Sequence, residues 1–265
     1  MKLTRILSNL QVLKTLVQHD IMLHNSHLLR RCIDTIIWAS CVTIVAQYLL
    51  PLFGMSHSFG IFLVISNSVL WGLFEINSQL AEFLSEIEGG NIISYFLTLP
   101  LPASLVFVKY ALGYAYRSWI SSFLVLTSLF FIQDFGQLHL TPWSIFSFLF
   151  MHFLANLFFG FFCLFTVSLS PDVTYTTTIR SRVIFPLWHL GCANFTWLML
   201  YQVSPFFAYL NLLNPMTYLL EGIRASILPQ FISLSYGTCV AATIGFIILF
   251  GYLGIIRLKK RLDCL

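Results

Sequence analysis

Apolar residues in this chain come in long runs with few charges, over residues 32–53, 59–80, 105–132, 143–169, 183–201 and 236–256. A helix needs about 20 residues to cross the hydrocarbon of a bilayer. A backbone placed in lipid must also satisfy all its N–H and C=O groups internally, which leaves helices or closed barrels. Barrel strands alternate apolar and polar over about 10 residues, and these runs do not. Charged residues make up only 9% of the sequence and hydrophobic ones 58%. A soluble domain is about 25% charged, so this chain has too few charges to cover a water-facing surface. The reading is all-α: a polytopic membrane protein with six transmembrane helices in a single domain spanning residues 1–265. Residues 1–30 precede the bundle, 32–256 form it, and 257–265 are a basic tail.

Ahead of the first run, Leu3, Ile6, Leu7, Leu10, Leu13 and Val17 share one helical face, while Arg5, Asn9 and Lys14 lie elsewhere. A basic amphipathic helix of this kind suits the membrane interface. Lys14 and Thr15 interrupt the apolar stretch, so it does not read as a cleaved leader. Basic residues near the span ends set orientation. They gather at Lys2, Arg5, Lys14, Arg30 and Arg31, at Arg180 and Arg182, and at Arg257, Lys259, Lys260 and Arg261. With an even number of spans these three groups fall on one side, opposite Arg224. The expectation is an integral protein of the cell (inner) membrane with both termini cytoplasmic.

The formal net charge of +4 is too small to point to nucleic acid. There is no GxxxxGK[ST], so the chain has no ATP site of its own, and there is no GxGxxG or HExxH. His24 and His27 form one HxxH without a supporting carboxylate or thiol. The six cysteines, Cys32, Cys41, Cys163, Cys192, Cys239 and Cys264, form no CxxC pair and fall mostly in apolar runs. No metal, cofactor or catalytic set is expected. Polar residues inside spans either line a path or fasten helices together. Asn67 and Glu75 in the second run, Arg117 in the third and His189 in the fifth are the possible path-lining residues. Arg182, His189, Cys192 and Thr196 are read as one face of a continuous fifth helix.

Between the second and third runs, "EFLSEIEGGNIISYFLTLPLPASLVFVKY" (residues 82–110) holds a short helix from about Asn91, as cap, to Thr98, ended by Pro100 and Pro102. Its apolar content fits a docking piece for a soluble partner. Residues 202–235 are broken by Pro205, Pro215 and Pro229 yet rich in Phe206, Phe207, Leu210, Leu212 and Leu213. They read as short helices dipping into the outer leaflet. Within them Asn214 is an N-cap, Pro215 the first helical residue, and Met216, Leu219, Leu220, Ile223 and Ile227 an apolar stripe. Thr217, Glu221 and Arg224 lie on the other face, with Glu221 and Arg224 spaced to pair. The helix is expected to be half-buried, and its pair either anchors it or gates cargo release.

Two of these stretches carry a resemblance. "EIEGGNIISYFLTLPLP" (residues 86–102) resembles the cytoplasmic segment between spans two and three of type-2 ABC exporter permeases. "YLNLLNPMTYLLEGIRASIL" (residues 209–228) resembles the segment that precedes their last span. The stretch 185–206 departs from the family, keeping only Leu190-Gly191 and Pro205 of its pattern. The resemblance implies a permease subunit that pairs with a second copy or a related chain and couples to separate ABC ATPase subunits holding ATP and Mg. It implies a coupling role for Glu86, Gly90, Asn91, Tyr95 and Pro100. It implies an outer gate helix marked by Asn214, Pro215, Tyr218, Glu221 and Arg224, with re-entrant helices before span six. An amphiphilic cargo follows: a lipid, a lipid-linked glycan or a drug-like molecule. A non-transporting membrane scaffold or assembly factor is the alternative, and a membrane-embedded enzyme ranks behind both.

Overall fold

The computed structural model describes residues 2–25, 28–56, 58–89, 92–99, 101–132, 135–231 and 234–262. Every regular element among them is helical. In chain order the α-helices are α1 (Lys2–Asn25), α2 (Leu28–Ile44), α3 (Ser58–Gly89), α4 (Ile92–Thr98), α5 (Ala103–Leu124) and α6 (Pro142–Leu169). They continue as α7 (Thr176–Ile179), α8 (Phe185–Leu190), α9 (Trp197–Val203), α10 (Pro205–Asn211), α11 (Pro215–Ile227) and α12 (Tyr236–Leu262). Gly90, Asn91 and Pro100, expected around the short helix α4, lie outside the described residues, as do the side chains of His24 and His27.

Among the described residues, four stretches are long and apolar enough to cross a membrane: Leu29–Phe53, Ser58–Gly89, Pro142–Leu169 and Tyr236–Leu262. The third expected span corresponds to α5 and a 3₁₀ extension, Val125–Phe131. It is long, but Lys109, Arg117 and four serines make it more polar than the others. The outward faces of α2 and α12 are apolar, with Ile33, Ile36, Ile37, Ile248, Leu249 and Tyr252 exposed. That is the surface a lipid solvent asks for.

The core gathers around α6, which packs against α12, α5, α3 and α11. Thr141 accepts from the Ser144 N–H and Ser144 answers the Thr141 backbone, with Pro142 as first helical residue. This is a capping box, and it fixes where α6 starts. From there Phe158, Phe159 and Phe162 project into the core, and Phe162 meets Phe250 of α12 edge-on at 5.1 Å between centroids. Gly160 lets α5 come close: a Cβ there would lie 2.1 Å from the Ala111 carbonyl oxygen. α3 has 32 residues, about 48 Å at 1.5 Å per residue. A hydrocarbon core is about 30 Å thick, so both ends of α3 cannot lie inside one.

The expected continuous fifth span, 183–201, is not one helix. A helical stretch from Thr176 passes through a π turn, Arg180–Ile184, and ends with α8 at Leu190. The chain then turns through 191–196 and restarts as α9. Cys192 sits in this turn with φ 61°, a left-handed conformation costly for a residue with a Cβ. The face proposed for Arg182, His189, Cys192 and Thr196 therefore does not exist. Arg182 and His189 are exposed, whereas Cys192 and Thr196 are buried.

Candidate functional site

A helix broken inside an apolar bundle leaves backbone groups with no intrahelical partner, and each must find another. At the 191–196 turn those partners come from α11. Asn214 caps α11 by accepting from the Met216 N–H at 2.9 Å. Its amide Nδ2 donates to the Leu187 carbonyl of α8 at 3.1 Å. Glu221 Oε1 accepts the Trp197 N–H at 2.8 Å, at the first residue of α9. Arg224 Nη1 donates to the Cys192 carbonyl at 2.9 Å, in the strained turn itself. Arg224 Nη2 meets Glu221 Oε1 at 2.8 Å, closing the set.

Arg224 also reaches across the bundle. Nη1 donates to Ser66 Oγ of α3 at 3.0 Å, and the guanidinium lies 4.6 Å from the centre of the Phe62 ring. Both charged side chains are 0% exposed. The expectation of a half-buried α11 is corrected: Met216, Thr217, Leu219, Leu220, Glu221, Ile223 and Arg224 are all buried, around the helix rather than along one face. Gly222 allows this, since a Cβ there would lie 2.8 Å from Met151 of α6 and 2.9 Å from Cys239 of α12. Tyr218 is partly buried and packs toward Phe246 of α12. The expected Asn214 cap, Pro215 start and Glu221–Arg224 pair are all present.

A second polar cluster forms where α3 ends. Glu82 of α3 makes a two-pronged pair with Arg117 of α5, at 2.5 and 3.1 Å. Asp20 of α1 pairs with Lys109 of α5 at 2.8 Å. Tyr110 donates to Glu86 at 3.0 Å. These groups line a cavity of about 320 Å³. The short helix α4 enters the cluster through Phe96, whose ring lies 3.9 Å from Lys109 Nζ. Its neighbour Tyr95 is 62% exposed and meets the Phe96 ring edge-on at 5.7 Å. Nearby, Glu88 accepts the Val173 N–H at 2.8 Å, linking the end of α3 to the segment before α7. Asp172 caps that segment, and hydrogen bonds from Thr174 and Tyr175 hold its carboxyl below the usual range.

Arg117 is thus brought into an ion pair, and Glu86 and Tyr95 into the α4 neighbourhood. Asn67 and Glu75 are half-buried on α3 and His189 is exposed on α8. Sequence reasoning missed several partners. Asp20 and Lys109 are far apart in sequence, and nothing in either local pattern announces the other. Ser66, Trp197 and the Cys192 carbonyl likewise enter the junction only through the fold. So does a buried network in which His152 Nε2 donates to the Ser68 carbonyl at 3.2 Å, with Ser122 donating to Asn156 at 3.1 Å. His152 and Asn156 are spaced i, i+4 on α6, the one sequence signal for it.

No group of three or more metal-ligating side chains occurs among the described residues. The two clusters join helices that are distant in the sequence through ion pairs and hydrogen bonds. No protein-family model matches the chain, and no curated protein matches it either.

Proposed function

We propose that this chain is the permease subunit of an ATP-driven exporter of the type-2 ABC class. In this reading it crosses the inner membrane six times, with α5 as the third span and the broken α7–α8 stretch as the fifth. Both termini are cytoplasmic, α1 lies at the interface, and α9 to α11 re-enter the outer leaflet. Two copies, or this chain and a related one, form the path. Separate ATPase subunits bind ATP and Mg, and the cargo is an amphiphile.

The observation that carries this reading is α4. It is a seven-residue helix hung between α3 and α5. Phe96 grips Lys109 and Tyr110 on one side, while Tyr95 stands exposed on the other. A partner that displaces Tyr95 moves Phe96, and through Lys109 and Asp20 it moves α5 and α1 together. Glu86 with Tyr110 and Glu82 with Arg117 carry the same displacement into α3. At the opposite end of α3, Ser66 is bonded to Arg224. A rigid helix so held at both ends can transmit a push between the two polar clusters.

The test is co-purification of the tagged chain with a soluble Walker-motif ATPase from its native membrane. Replacing residues 92–98 with a Gly/Ser linker should abolish that association while the bundle still inserts. Association that survives the replacement would overturn the coupling assignment. Reporters active only in the cytoplasm, fused at each terminus, should both be active.

A further inference from the structure

Most charged side chains inside the bundle have a charged partner, but Glu75 does not. It lies on α3 seven residues before Glu82, two turns or about 10 Å along the axis. It is half-buried, and among the described residues its carboxylate accepts only from Ser78 Oγ, at 3.3 Å, a hydroxyl that lies closer, at 2.9 Å, to the Glu75 backbone carbonyl. Among the described residues no basic group pairs with it. An acidic side chain placed among apolar spans is expensive and is ordinarily met by a cation or a polar cavity.

What surrounds it is aromatic. Asn67, Trp71, Glu75 and Ser78 run down one face of α3, with Phe74 beside them. Trp38 of α2 lies 4.7 Å from Trp71 and 6.3 Å from Phe74 between ring centres. Trp188 of α8 lies 5.2 Å from Phe74 and 4.3 Å from the His189 ring. Three elements therefore converge their rings on the strip that carries the carboxylate. Trp38, Trp71, Phe74 and Trp188 are all half-buried, so each keeps some ring surface open.

We propose that this strip binds the head of an organic cation, with Glu75 as counter-charge and the rings of Trp38, Trp71, Phe74 and Trp188 as its apolar cradle. Aromatic faces attract ammonium and phosphonium groups through their quadrupoles, most strongly when water is displaced. A single carboxylate supplies the rest. A sugar ring would use the same rings together with several donors and acceptors; beside the carboxylate the strip offers the Ser78 hydroxyl, the indole N–H groups, of which Trp71 Nε1 has no partner among the described residues, and Asn67 two turns away, so an alkyl glucoside is the competing ligand to test. By its charge the site selects cationic amphiphiles from the cargo classes open to the exporter. Its role in transport rests on the exporter reading, but the binding itself does not.

The experiment uses the full chain in polyoxyethylene dodecyl ether micelles, whose head group carries neither charge nor sugar, and measures saturable binding of tetraphenylphosphonium. Tetraphenylborate, of the same shape and opposite charge, is measured separately. The phosphonium should bind at least tenfold more tightly than the borate. Glu75→Gln should weaken phosphonium binding tenfold or more, and Glu75→Asp less than threefold. Trp188→Leu should weaken it severalfold, with Trp188→Phe close to the parent. Equal binding of the two probes by the unmodified protein would overturn the assignment, whether or not any variant folds. So would unchanged binding by a folded Glu75→Gln protein, or displacement of the phosphonium by an alkyl glucoside at lower concentration than by an alkyl ammonium. ATPase co-purification is untouched by any of these results, so the two readings fail separately.

Discussion

The two ends of α3 carry ion pairs of opposite character. At Ser66 the Glu221–Arg224 pair is fully buried, and every contact but one goes to a backbone group or a neighbouring hydroxyl. At the other end Lys109–Asp20 is 3% and 20% exposed, and Arg117–Glu82 is 10% and 36% exposed. These pairs join side chains on three separate helices. The first set is bonded into one turn of a broken helix and holds a conformation that the chain would not adopt alone. The second set ties α1, α3 and α5 together through side chains that keep partial contact with solvent. In the proposed exporter, a fully buried junction at one end of α3 and a partly exposed one at the other would let the helix act as a lever.

The contrast breaks most visibly at Arg224. Removing one member of a buried pair leaves the other charged and unpartnered, a loss of about 3–5 kcal/mol. Arg224→Met should therefore abolish recovery of a monodisperse protein, or lower its melting temperature in detergent more than any change at the other end. Exchanging the charges, as Glu221→Arg with Arg224→Glu, should not restore it. The exchanged guanidinium would face the Trp197 N–H, and the exchanged carboxylate would face the Cys192 carbonyl. A melting curve that returns to the parent value would show that only the pair's net attraction matters, and the capping account would fail.

Between the ends, Gly160 tests whether α5 must lie hard against α6. Its missing Cβ would meet a backbone oxygen, which has no rotamer to yield. Gly160→Ala should destabilise by about 1–3 kcal/mol, the usual range for overpacking. Arg117→Met at the adjustable end should cost about 1 kcal/mol or less, because a partly exposed pair is screened by solvent. Equal losses from Arg117→Met and Arg224→Met in the same melting assay would erase the distinction between the two ends.

The sequence makes some of this legible and hides the rest for a physical reason. Composition and run length announce helices that suit lipid, because those properties add up along the chain. The α11 start is visible because Asn-Pro is a local signal: a cap and a first-turn residue act within one turn. The break at 191–196 is not visible in the same way. Its neighbours read as one apolar run, and the groups that make a break tolerable, Asn214, Glu221 and Arg224, lie some 20 to 30 residues downstream. Periodicity puts the same charges on an unpacked face of α11 because it assumes that only one side of a helix is packed. Small residues at Gly222 let that helix be packed all round. The Asp20–Lys109 pair is a meeting of two helices that no local spacing specifies.

The smallest expected effect on stability is the most informative about α4. Tyr95 and Phe96 are adjacent aromatic residues with opposite surroundings. Phe96 is packed against Lys109 and Tyr110, while Tyr95 is exposed and meets the Phe96 ring edge-on at 5.7 Å. Tyr95→Ala exposes no core and leaves no polar group unpaired, so melting should move by less than about 0.5 kcal/mol, as for an ordinary surface change. Exposed aromatics at a docking surface are nevertheless the residues whose loss weakens binding most. If the chain is the proposed permease, affinity for its ATPase should therefore fall tenfold or more in Tyr95→Ala, measured by pull-down from solubilised membranes. Phe96→Ala should show the reverse order, losing stability first and affinity as a consequence. If both variants lose stability equally, α4 is a plain connector with two buried rings, and the lever has no handle.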